Sequence, residues 1–438
     1  MNRLELLRHI VANLHVQPLT AGLITEQSLD ASPFARARLG PQGTIGVLRA
    51  GGEAFSDLTD AIFREAPLLL RGSTFKDVSD EVFLILIQNF LGRKASGIAA
   101  ADVSFVELAI EKWFAANSGS HHLYIPCILT PRPAPAFRVG PILFTFIDDF
   151  VERLPKDNQS VFDLTYSGVL KEMAAQRAGW MAEVDVDRCM RKRGEELAEL
   201  SVDLAIAAIQ IVIHPDQSRY MSRMTARTVP RYRFGLSEGG GMVSPTVTNQ
   251  EPGLALGAGT FEHYLKEADE IIKAAGAQIS AFLTGSGALP ILCSAWADAA
   301  YWYHEGLAEP LDTIAVPKLE TAIEVLLRSE SSSGSQKRVV EAIGTFYGLE
   351  PDQLINPTSQ VTVKEFAKDL VRDRSRILHG TWSTLAHSMR ASRGSLEGLV
   401  VKLLAHYMFE VQIYAGTPGA TDARDAFLSF VKARRGVP

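Results

Sequence analysis

From about residue 255 onward the chain repeats one pattern: helix-length segments with apolar residues three and four apart, parted by short loops. That spacing lines one face of an α-helix. It predicts helices over 261–282, over 290–307 with Leu292, Trp296, Ala299 and Tyr303 on one side, and over 316–327 with Leu319, Ile323 and Leu327 facing inward. Pro317 stands near the start of the third, where a missing N–H costs nothing. A polar loop follows at 329–335, with Ser/Gly-rich low complexity at 331–335. A fourth helix, 336–347, is closed by Gly348. A fifth, 362–378, is capped by Thr362 with Glu365 three residues on. A sixth runs over 396–414. Amphipathic helices on short loops pack as an antiparallel bundle.

The chain has 438 residues, too many for one ordinary core, so at least two domains are expected. We read 1–255 as a mixed α/β region and 256–438 as the helical bundle, an α+β fold. In the first part, 44–49 suggests a strand, and 57–65, 77–91 and 105–116 suggest helices. Segments 122–129 and 137–146 are β-rich, joined across the proline-rich 130–135. Residues 160–225 read as helical again, with 195–213 ended by His214-Pro215. The stretch around Gly239–Gly241, followed by Pro245 and Pro252, reads as a flexible loop or domain boundary.

A formal net charge of −6 excludes recruitment of nucleic acid by a chain-wide basic field, leaving only local cationic patches. Cys127, Cys189 and Cys293 are odd in number and far apart, without metal-ligand spacing or a disulfide framework. This fits a reducing cytoplasm. The N-terminus lacks the unbroken apolar core of a signal peptide, and no apolar run is long enough to span a bilayer.

The fifth helix holds an anomaly. Its stripe of Val363, Phe366, Leu370 and Ile377, extended four residues from Leu370, reaches Arg374. A cation on a core-facing position is costly unless paired or beside a cleft. His379 follows, then Gly380 as terminator. Histidine can take the proton of a ribose 2′-hydroxyl or give one to the leaving oxygen. Arginine can hold the phosphate and the charge that grows on it. The bland alternative is a helix C-terminus dressed with Arg374, Arg376 and His379, which the macrodipole favours.

Arg374-Ser-Arg-Ile-Leu-His-Gly380 resembles the Arg-x4–6-His motif of the HEPN superfamily, in the form of its ApeA-like branch. Residues 319–327 and 299–306 resemble the two helices that precede the motif there, so the likeness spans roughly 290–430. It implies an all-α HEPN bundle that pairs into a homodimer, bringing two motifs into one composite site. It implies a metal-independent endoribonuclease acting on RNA without a cofactor, in defence or toxin–antitoxin settings. Arg374 and His379 would be the catalytic pair, with Ser375 in place of the more usual Asn, Asp or His. The N-terminal region would be regulatory or sensory, answering to a trigger or antitoxin.

Arg372-Asp373 followed by His379 also satisfies the motif spacing. Residues seven apart share a helix face, whereas residues five apart lie about 140° apart, so plain geometry favours Arg372. The family pattern favours Arg374, which we take, with dimer formation supplying the convergence. Arg376 and Glu324 are auxiliary candidates; Glu324 either pairs with a motif arginine or lies on an exposed face. Trp382 and His387 follow the motif, as a stacking platform and backbone contact or as plain packing and loop. His121-His122 is not at metal spacing, no metal ligands are assigned, and 432–435 reads as a solvated basic tail. The rival to an enzyme is a HEPN scaffold that binds RNA, nucleotide or a partner protein without cutting.

Overall fold

The computed structural model describes residues 1–18, 32–41, 43–154, 163–230, 232–328, 334–355 and 360–436. The chain divides into two compact units, one of 1–121 with 186–196, the other of 122–185 with 197–438. The boundary expected at 255 is therefore corrected: it falls inside the second unit, because residues N-terminal to it are built into the helical part. The α+β class holds, with sheet in the N-terminal part and mostly helix after it.

In the first unit, α1 (Arg3–Ala12) opens with a reciprocal capping box between Asn2 and Glu5. Then β1 (Leu14–Gln17), β2 (Phe34–Gly40) and β3 (Gly43–Leu48) form an antiparallel sheet in the order β1-β3-β2. Four helices follow: α2 (Arg49–Glu65), α3 (Pro67–Gly72), α4 (Phe75–Asn89) and α5 (Ala100–Asn117). Leu7, Ile10, Leu58, Val82, Leu86 and Ile110 form the core between them.

The second unit is built on a five-stranded sheet of β4 (Gly119–Ile128), β5 (Phe137–Val139), β6 (Ile142–Phe146), β7 (Trp180–Cys189) and β8 (Ser222–Arg223), in the order β5-β6-β7-β4-β8. The helical reading of 160–225 is corrected at β7. Its Val184-Asp-Val-Asp187 alternates buried and exposed, the period of a strand. Between β6 and β7 lie α6 (Ile147–Arg153) and α7 (Gly168–Gln176). After β7 comes α8 (Arg191–Val212), buried at every residue from 201 to 211, with Ser201, Asp203 and Gln210 hydrogen-bonded among its apolar residues.

The expected flexible loop at Gly239–Gly241 is also corrected. Strands β9 (Tyr232–Gly239) and β10 (Met242–Asn249) pair antiparallel, and Gly240-Gly241 make the two-residue turn. Both glycines have positive φ (60° and 80°), which this tight hairpin demands.

The helical part comprises α9 (Thr260–Glu267), α10 (Asp269–Thr284), α11 (Pro290–Ala308), α12 (Asp312–Leu326), α13 (Ser335–Tyr347), α14 (Val363–Leu378), α15 (Arg390–Ala415) and α16 (Arg424–Arg435). The single helix expected over 261–282 is two, broken at Ala268. Helix α12 begins at Asp312, which puts Pro317 inside it rather than near its start. The basic tail is helix α16, whose Arg434 and Arg435 both close on the buried carboxylate of Glu410. Of the Ser/Gly loop, 329–333 lie outside the described residues. No helix among the described residues is long and apolar enough to cross a membrane.

Candidate active site

Helix α14 starts on its capping box, Glu365 N–H to Thr362 Oγ1 at 3.2 Å and Thr362 N–H to Glu365 Oε2 at 3.0 Å. Its buried stripe is Val363, Ala367, Leu370 and Ile377. Arg374 continues that stripe with its side chain 24% exposed, aimed at two carboxylates of α12. Its Nη1 donates to Glu324 Oε1 at 2.9 Å. Its Nε lies 3.8 Å from Glu320 Oε2, too long for a hydrogen bond. Glu320 is fully buried, and neither its oxygens nor Arg374 Nε finds a hydrogen-bond partner among the described residues. Burial pushes the Glu320 carboxyl up to about 8, against the pull of Arg374. Ser335 Oγ donates to Glu324 as well.

The other motif residues point elsewhere. Arg372 is exposed and ties to Asp369 at 2.7 Å and to Asp373 at 3.1 Å, on the rim of a cavity of about 260 Å³ floored by Phe366, Leu370 and Met389. Arg376 lies 4.8 Å from the ring of Trp382, and Trp382 stacks on His387 at 4.9 Å with 6° between the planes. Trp382 is thus a packed aromatic with a cation on it. Ser375 is exposed, and its carbonyl accepts the His379 N–H at 3.0 Å. His379 caps the helix, and Gly380 turns the chain away with φ at 69°. The His379 imidazole is exposed and meets no hydrogen-bond partner among the described residues.

The structure therefore brings Arg374 together with Glu324 and Glu320, and brings Arg372 together with Asp373. It does not join Arg374 to His379 within one chain. One guanidinium edge is anchored to Glu324, and an exposed imidazole, a possible general acid or base, lies about one turn further on. Sequence reasoning missed Glu320. The signal was present, because Glu320 and Glu324 are four apart on one helix and so share a face.

A second polar cluster had no sequence signal, its members lying about a hundred residues apart. His304, fully buried on α11, has Nδ1 2.9 Å from Gln210 Oε1 and accepts from Arg227 Nη2 at 3.0 Å through Nε2. Arginine is always the donor, so the ring carries its proton on Nδ1. Burial, with Arg227 and Arg223 nearby, holds this imidazole well below its ordinary range and hence neutral. Asp203 takes a two-pronged bond from Arg223 at 2.8 and 2.9 Å. Arg227 also pairs with Glu305, and both border an open cavity of about 640 Å³ with Lys318 and Glu309. Arg227 and Lys318 are matched there by Glu305 and Glu309, and Arg233 is the third cation of the lining. His121 and His122 part company, to the Cys189 carbonyl at 2.9 Å and to Asp185 at 2.6 Å respectively. Comparison of the chain with protein-family models, curated proteins and solved structures finds no match.

Proposed function

We propose that the chain is a metal-independent endoribonuclease of the HEPN type, with a site assembled from Arg374 and His379 of two copies. The observation that supports it most is the pairing of Arg374 with Glu324, which anchors a guanidinium on a core-facing stripe while the exposed His379 closes the same helix. A phosphate oxygen would take the free donors of Arg374. His379 of one copy would remove the proton of the 2′-hydroxyl as O2′ bonds to phosphorus. The O5′–P bond breaks, and a second histidine, from the other copy, protonates O5′. The products are a 2′,3′-cyclic phosphate and a 5′-hydroxyl. Because the nucleophile is already part of the substrate, the step needs no metal.

A scaffold that binds RNA, nucleotide or a partner without cutting is the second reading. The ion pair that already engages Arg374 favours it, since such a pair also serves as plain structure.

The two separate on incubation of wild type, Arg374→Ala, Arg374→Lys and His379→Ala with total RNA in EDTA. The nuclease reading expects cleavage by wild type and a fall of roughly 100-fold or more in both alanine variants. Arg374→Lys keeps the charge but not the planar set of guanidinium donors, and is expected to remain folded and weak. Cleavage that persists in an alanine variant removes that residue from the mechanism, and no cleavage by wild type leaves the scaffold. Growth arrest on expression in bacteria, lost in the same variants, tests the toxin or defence setting.

A further inference from the structure

Three cations border the open cavity of about 640 Å³: Arg227 between β8 and β9, Arg233 on β9 and Lys318 on α12. They differ in what they have left to offer. Lys318 is engaged, its Nζ 3.1 Å from Glu309 and 3.8 Å from Glu305. Arg227 is engaged through one nitrogen. Its Nη2 donates to the neutral Nε2 of His304 at 3.0 Å and closes on the carboxylate of Glu305. Nε and Nη1 make no hydrogen bond among the described residues, so three of its five N–H groups stay available. His304 is fully buried and held in turn by Gln210, which fixes the direction of the guanidinium from behind. Arg233 is exposed and forms neither a hydrogen bond nor an ion pair among the described residues. The described lining thus sets three cations against two carboxylates, in a chain whose net charge is −6. The surplus charge comes with unused planar donors, the kind that grip an oxyanion.

We propose that this cavity binds a phosphorylated sugar, with the phosphate on Arg227 and Arg233 and the sugar hydroxyls on Tyr220, Thr228 and Gln250. A phosphate monoester brings three terminal oxygens and a charge of about −1.5 to −2, enough to use donors from both guanidiniums. A carboxylate brings two oxygens and half the charge, and would leave most of those donors idle. The body of the ligand is read from the rest of the wall. Tyr220 and Thr228 offer hydroxyls and Gln250 an amide, and none of these side chains is hydrogen-bonded among the described residues. The apolar lining is two alanines and two prolines, so a broad hydrophobic body finds little to pack on. Tyr220 is the one ring among the described lining residues, so no pair of rings encloses a nucleobase. A hydroxylated body answers the free polar groups without needing either. The volume falls within the range of small-molecule sites. This inference goes beyond the nuclease reading and uses neither Arg374 nor His379.

Isothermal titration calorimetry of the full chain near neutral pH tests it, with ribose 5-phosphate, glucose 6-phosphate and fructose 6-phosphate as probes. Glucose, gluconate and AMP are titrated alongside. At least one phosphorylated sugar is expected to bind saturably with a Kd below about 1 mM, gluconate more weakly and glucose not at all. Arg233→Ala removes an exposed side chain without a partner, so it is expected to keep the circular dichroism and melting of wild type. Its affinity should fall by about tenfold or more, the loss of charge-assisted hydrogen bonds. Arg374→Ala is expected to bind the sugar phosphate as wild type does. Saturable binding by none of the three probes overturns the inference. AMP binding more tightly than ribose 5-phosphate overturns the ligand class, because the site then reads a base. Affinity lost in Arg374→Ala and kept in Arg233→Ala overturns it too, since the phosphate then sits at the proposed nuclease site. RNA cleavage in EDTA judges that other reading separately.

Discussion

Glu320 ties the stability of the helical part to pH. In the folded chain its carboxyl ionises near 8, against an ordinary value of 4.5, first because it is buried and despite Arg374. Between those values the folded state holds a proton that the unfolded state has released. The contribution to stability is complete below about 4.5 and is lost as pH rises through about 8. Glu320→Gln copies the neutral form without a titrating proton. Thermal unfolding at about pH 5 and about pH 8 should therefore show Glu320→Gln gaining on wild type as pH rises. An unchanged difference between the two melting temperatures refutes this. At this scale the sequence was half readable. Arg374 was legible as the cation four residues beyond Leu370, and Glu324 only as either a partner of a motif arginine or an exposed residue. The spacing put Glu320 on the same face as Glu324, but its full burial, set by packing against other helices, is something no local pattern reveals.

Between elements, buried arginines do the joining. Arg393 of α15 donates to the carbonyls of Leu307 at 2.8 Å and Glu309 at 2.8 Å, and pairs with Asp312 and Glu397. It thereby fixes the turn between α11 and α12, which in turn sets where Glu320 and Glu324 meet α14. Arg219 also holds Glu397, at 2.6 and 3.1 Å, so losing Arg393 does not leave that carboxylate bare. Arg393→Met should accordingly cost about 3 kcal/mol, the lower end for breaking a buried pair, read as a shift in the urea midpoint. A cost near zero would mean that packing alone fixes the turn. The helices themselves were legible from their 3.6-residue stripes. What sequence reading lost were the short-period elements: β7, whose alternation spans few residues beside a long helix, and the hairpin, whose three glycines look like a loop until Gly240 and Gly241 take positive φ.

For the whole molecule, the open question is what counts as a folding unit. Composition placed the boundary at the Gly/Pro-rich stretch near 255, yet that stretch holds only an exposed hairpin. The segment 197–224 belongs with the helices beyond it. Gln210 on α8 meets His304 at 2.9 Å, and its carbonyl accepts from the Tyr303 hydroxyl at 3.3 Å. Arg219 reaches the Leu307 carbonyl and Glu397. A fragment of 256–438 would expose the faces of Tyr303 and His304 that α8 buries, and would strip Glu397 of Arg219. We expect it to lack a cooperative melt and to be cut rapidly by protease, even though it contains all of α9 to α16. Extending the fragment back to 197 restores α8 from Leu197 onward and these bonds, and should recover part of the protection. If 256–438 melts as sharply as the full chain, the bundle is self-sufficient and the residues before 255 decorate it. If the extension is needed, residues 197–224 share one core with α9 to α16, and 255 is not a boundary between self-sufficient folding units.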